Sequence, residues 1–295
     1  MFKNKFVSLS ELIKEYCLNE IQNKNTKRWL DQKLRSIKSA QDFFISFALI
    51  NKKIPRDHLQ LSLAQIKTVH LTHAEFNIEN WTLDQLCRLS LLMYYPLLTV
   101  QNITKLISVA DNLEQITIFK SIPYLKNADQ YAHIVVNGLR TNIVDVFDAI
   151  ALKNSYPAKH FSQDQWNQMV LKAIFMERPI YQIKDIDERK NEKLAHILFN
   201  YALERWAASR RVTPELWRMI RGYLTEAQFF EMKKQMVEPI KSHQKAMLKL
   251  IQESNLNVAQ QWLNMQSIQL ENISWDQIGS DFLNKNQVLK NLSKT

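Results

Sequence analysis

Apolar residues recur along this chain at the three-and-four spacing of helix faces, not at the alternating spacing of half-buried strands. In SQDQWNQMVLKAIF, residues 162–175, Trp166, Met169, Val170, Ala173 and Ile174 share one side, and Leu171 and Phe175 widen that arc. The same spacing predicts helices over roughly 9–22, 25–38, 40–51, 57–70, 82–95, 100–109, 112–122, 128–139, 142–152, 163–176, 190–210 and 214–223, with three or four more towards the C-terminus. Helix starts are marked by the capping-box strings SLSE (8–11), TLDQ (82–85), SQDQ (162–165), TEAQ (225–228) and SWDQ (274–277). There a hydroxyl caps the third amide and Glu or Gln reaches back. Thr213-Pro214-Glu215 reads as a further start, with proline at the first helical position and an acid near the positive end of the dipole.

So many short helices exceed a four-helix bundle. The expected class is all-α, as an irregular α-α superhelix or HEAT-like stack of helical hairpins, although no clean repeat period is visible. Residues 1–224 read as one helical domain. Residues 225–295, richer in Gln, Asn and Lys, read as a C-terminal helical extension packed on it.

Composition sharpens this picture. Only 3 glycines serve 295 residues, too few for sheets joined by tight turns or for a phosphate-cradling loop. The two cysteines, Cys17 and Cys87, form no metal-ligand cluster, and isolated thiols suit a reducing compartment. The N-terminus lacks the apolar core of a signal peptide, and no apolar run is long enough to span a bilayer, so a cytoplasmic location is expected. The net charge of +10 leaves contact with nucleic acid or an anionic membrane surface to be weighed. Residues 201–250 carry ten Lys/Arg against five Asp/Glu, and residues 1–50 nine against five. No nucleic-acid-binding motif accompanies that charge, whereas peripheral membrane contact stays open.

Two polar residues interrupt apolar arcs. Asn167 falls between Ile174 and Leu171, and Arg205 falls near the centre of a stripe formed by Leu194, Ile197, Leu198, Tyr201, Ala202 and Ala208. An inward arginine must be paired, bound to carbonyls or left in a wet cleft. Asp148, at the margin of the arc in 142–152, and the loop acids Asp185 and Asp187 are candidate partners. Two readings follow: a structural staple, with Asn167 tying down loop carbonyls, or a pocket in which Asn167, Arg205 and an acid orient a ligand. No HExxH, GxSxG or DDxxD-like run is present, so neither a metal nor a cofactor is expected and no nucleophile stands out.

The strings LRTNIVDVFDAIAL (139–152), NSYPAKHFSQDQWNQMVLKAIF (154–175) and ALERWAASRRVTPELWR (202–218) resemble the EboA family, with WLDQKL (29–34) and WTLDQLCRLSLL (81–92) fitting its N-terminal half. The resemblance covers about residues 8–222. Its signature falls on Asn167, Gln168, Lys172, Asp187, Glu204, Arg205, Trp206, Pro214, Glu215, Leu216, Trp217 and Arg218. The family often has histidine where this chain has Leu203, and glycine where it has Ser209. The resemblance implies a place in a gene cluster for making or exporting a small, prenylated cyclitol-like metabolite, with other cluster proteins or that metabolite as partners. It assigns no chemistry.

The leading expectation is therefore a non-enzymatic binding or scaffold protein, with Asn167, Lys172, Glu204, Arg205, Glu215 and Arg218 meeting a ligand. Asp148, Asp187, Gln168, Trp206 and Trp217 would support them. An enzyme acting on a phosphorylated or prenylated cyclitol, and a basic HEAT-like DNA-binding protein, are the alternatives.

Overall fold

The computed structural model describes residues 7–236, 244–266 and 272–292. Among them there are 17 α-helices, several short 3₁₀ turns and no sheet, so the class is all-α. The chain divides into two compact units, residues 1–150 and 151–295.

The first unit contains α1 (Leu9–Glu20), α2 (Lys24–Ser36), α3 (Ala40–Lys53), α4 (Leu63–Thr72), α5 (Leu83–Tyr94), α6 (Val100–Val109), α7 (Asn112–Ser121), α8 (Ala132–Gly138) and all but the last residue of α9 (Val144–Ala151). Its axis is α5, against which α1, α2, α3 and α7 pack. A helix enclosed on every side must bury whatever it carries, and α5 buries Asp84 and Arg88 among its leucines. Arg88 donates from Nη1 to Asp84 at 2.9 Å and from Nη2 to Glu114 of α7 at 3.4 Å. It also lies 5.3 Å above the Phe47 ring of α3. Tyr95 closes α5 and stacks on Phe43 at 4.6 Å, while Tyr94 is only half-buried.

The second unit contains α10 (Tyr156–His160), α11 (Gln163–Phe175), α12 (Glu192–Ala207), α13 (Leu216–Ile220), α14 (Glu226–Lys234), α15 (Lys245–Gln252), α16 (Asn257–Met265) and α17 (Trp275–Leu292). Here α12 packs on α11 and α13, α15 on α13 and α16, and α17 on the 3₁₀ turn at Ile180–Gln182. Trp166, Trp217, Leu194, Leu198 and Phe229 are buried in its core, and Trp206 stacks on Trp217 at 5.5 Å. Elements from both sides of residue 224 share this unit.

The capping boxes at Ser8, Thr82, Ser162 and Thr225 form, and Ser274 accepts from the Gln277 N–H at 3.1 Å. A further box forms at Ser62 with Gln65, so the helix expected over 57–70 starts at Leu63 instead. The scarcity of glycine does not remove left-handed turns. Asn127, Lys153, Glu177, Asp185 and Ser209 adopt positive φ, as does Gly222.

Candidate functional site

The amide inside the α11 arc answers to a neighbouring helix end. Asn167 is 2% exposed and forms a reciprocal pair with Asn191: Asn191 Nδ2 donates to Asn167 Oδ1 at 2.9 Å, and Asn167 Nδ2 donates to Asn191 Oδ1 at 3.2 Å. Asn191 is the N-cap of α12, its Oδ1 accepting from the Leu194 N–H at 3.0 Å. Asn167 therefore fixes the side chain that starts α12, and the buried amide is satisfied without a ligand.

Arg205 lies elsewhere. The residue is half-buried, and its guanidinium donates from Nε to the Arg211 carbonyl at 2.9 Å, 6.0 Å from the Tyr201 ring. The expected convergence with Asn167 is not found. Asn167 touches the first turn of α12 and Arg205 stands in its last, so about 20 Å of helix axis separates their contacts. Helical phase does not account for the difference. The buried face of α12 runs through Leu194, Ala195, Leu198, Phe199 and Ala202, and Arg205 falls in angle between Leu194 and Leu198, inside that arc, but in the last turn, where the helix leaves the core. Glu204 is exposed on the far side. Asp148 belongs to α9 in the first unit, where it is half-buried.

Asp187, Glu215 and Arg218 come together in a second place. Arg218 grips Asp187 with both tines, Nε to Oδ1 at 3.1 Å and Nη2 to Oδ2 at 2.7 Å, and reaches Asp276 of α17 with Nη1 at 2.6 Å. Arg221 adds a contact to the same Asp187 at 3.3 Å. Arg218 thereby holds the Asp187 carboxyl below the usual carboxylate range, against the opposing effect of burial. Glu215, 3% exposed, accepts from the Tyr181 N–H at 2.7 Å. Burial pushes its carboxyl up to about 7, although Tyr181 N–H and Arg218 pull the other way. Gly279 of α17 packs so closely here that a Cβ would come within 2.6 Å of Glu215 Oε1. All three guanidinium nitrogens of Arg218 are committed, so the cluster clamps α13 to the loop and to α17. Asp276, Gly279 and this clamp escaped sequence reasoning, because their partners lie about sixty residues away along the chain.

A groove of about 390 Å³ between α11 and α12 is open to solvent. It is lined by Gln168, Leu171, Lys172, Ile174 and Phe175 from α11 and by Leu198 and Tyr201 from α12. Phe175, expected to widen the apolar arc, is 73% exposed and is part of this apolar lining. The groove is apolar for most of its length. Gln168 offers a hydrogen-bonding amide, and Lys172 a cation that partial burial pulls below the ordinary lysine range. Arg205, beside Tyr201, stands at the α12 end. Two of the sequence-derived candidates, Gln168 and Lys172, thus line the groove, while Asn167, Glu204, Glu215 and Arg218 do not. Phe175, Leu198 and Tyr201 join it unforeseen, and their only signal was an apolar arc too wide for one neighbouring helix. Among the described residues no three His, Cys, Asp or Glu side chains gather into a metal-binding cluster.

No curated protein and no solved structure matches this chain. A family model does, over residues 9–221 of 295, and its description is "Metabolite traffic protein EboA". That span takes in α11, α12 and the groove between them, and the chain belongs to the EboA family.

Proposed function

We propose that this protein is a non-enzymatic binding protein for a small amphiphilic metabolite, held in the groove between α11 and α12. The observation that carries the reading is the composition of that groove: an apolar floor of Leu171, Ile174, Phe175 and Leu198 with Lys172 and Gln168 at its wall. Its volume of about 390 Å³ suits a small ligand. An apolar chain would lie along the leucines, and a phosphate or hydroxylated ring would meet Lys172, Gln168 and the Tyr201 hydroxyl. A prenylated cyclitol-like molecule has both parts, and the family's link to metabolite traffic supports that class. The binding reading is preferred to an enzymatic one because the groove presents no arranged acid–base pair or nucleophile within it.

Calorimetric titration with geranyl phosphate, a short prenyl chain bearing an anion, tests the proposal. Binding is expected in the wild type. Leu171→Asp should weaken it at least about tenfold by placing a charge in the apolar floor. Lys172→Gln should weaken geranyl phosphate more than geraniol, since only the phosphate uses the ammonium. Absence of binding, or equal affinity in the wild type and both variants, would refute the groove as the site.

A further inference from the structure

Helix α4 is held mainly through Val69, with Ile66 half-buried beside it. Val69 is its only buried side chain, while Leu63 is 86% exposed and Leu71 is 76% exposed. At about 100° per residue, Leu63, Lys67 and Leu71 fall within an arc of about 80° centred nearly opposite Val69. They form a ridge of leucine, lysine and leucine standing away from the first unit. The chain leading into the helix is basic: residues 51–67 contain Lys52, Lys53, Arg56 and Lys67 against one acid, Asp57, whereas Glu75 and Glu79 follow it. Glu79 lies 3.9 Å from His70 Nε2, at the edge of the ridge, about 20° past Leu63.

We infer that this ridge is a peripheral docking surface for an anionic lipid bilayer. The interleaving of charge and hydrocarbon selects the occupant. A protein groove that buried both leucines would have to bury the Lys67 ammonium between them, which is costly without a carboxylate in register. A second copy meeting the ridge across a two-fold axis would bring Lys67 towards its own counterpart. At a lipid surface the conflict vanishes. The leucines enter the acyl boundary while the lysine stem extends its ammonium to the phosphates, as interfacial helices commonly do. The basic flank on the N-terminal side adds attraction that acts over about a Debye length. Among the described residues no helix is long and apolar enough to cross a membrane, so contact through α4 lies on the surface.

Co-sedimentation of the full chain with vesicles of phosphatidylcholine, alone or mixed with phosphatidylglycerol, tests this inference. The wild type should sediment with the anionic vesicles at low salt, lose that binding as salt rises and ignore neutral ones. Leu63→Glu combined with Leu71→Glu should lower the bound fraction at least about tenfold with an unchanged circular dichroism spectrum. Leu63→Ser with Leu71→Ser, which adds no charge, should reduce it as well. Three results would overturn the inference: no binding to anionic vesicles at low salt, equal binding by the wild type and both double variants, or a wild-type dimer in light scattering that the variants abolish. None depends on the groove of the second unit, so the two proposals fail separately.

Discussion

Ser209 turns left-handed at φ 54°. It sits just past α12, where the Arg210 N–H returns to the Arg205 carbonyl at 2.8 Å and the Ser209 N–H to Trp206 at 2.9 Å, a Schellman-type close. A serine pays a steric cost there that glycine avoids. Ser209→Gly is therefore expected to stabilise the protein by about 1 kcal/mol, seen as a higher midpoint in urea unfolding. A lower midpoint would show that the serine makes a compensating contact. The same scale shows what was legible at the candidate site. That Asn167 faces inward could be read from spacing in the sequence. Its purpose could not, because the partner is a cap 24 residues on. For Arg205 the spacing misled, since the last turn of a helix can leave the core while keeping its angular position.

At the scale of elements, α13 and α17 meet over a carboxyl that keeps its proton to higher pH than an ordinary glutamate. The sequence places the helix start at Pro214 with Glu215 in its first turn, yet α13 begins two residues later, at Leu216, and Gly279 of α17 covers the acid. Its folded value of about 7 lies above the ordinary 4.5, so folding favours the protonated form. The associated cost is absent below the ordinary value, grows as pH rises through it, and is complete above about 7. Asp187 acts in the opposite sense: its lowered value makes Arg218 pairing a stabilising contribution that is lost in acid. Glu215→Gln should remove the cost on the upper side. Urea unfolding from pH 4.5 to 8 should show the wild type losing stability relative to the variant, by up to about 3 kcal/mol. A constant difference across that range would mean that Glu215 titrates normally in the fold. Most helices were legible because capping boxes and periodicity are local. The α13–α17 contact was not, because it depends on residues far apart in the chain meeting over one buried acid.

For the molecule as a whole, two units each gather a core around helices of different character. In the first, α5 is enclosed and internally paired by Asp84, Arg88 and Glu114. The signal for that pairing was present as an acid and an arginine four apart in a run of leucines. In the second, α11 and α12 bury one face together and leave an apolar groove beside it. The all-α class followed from periodicity and glycine scarcity, whereas the division at residue 150 left no mark in composition. The first unit also has a cleft, of about 440 Å³, but its lining mixes Glu20, Lys53, Asp57 and His58 and suits a polar occupant. The most direct test of the account is therefore where an amphiphile binds. In methyl-labelled protein titrated with geranyl phosphate, the Leu171, Ile174 and Leu198 methyl resonances should shift together, and those of Leu86 and Leu89 in α5 should stay fixed. Shifts confined to Ile21 and Leu83 beside the other cleft, or no shifts at all, would contradict it.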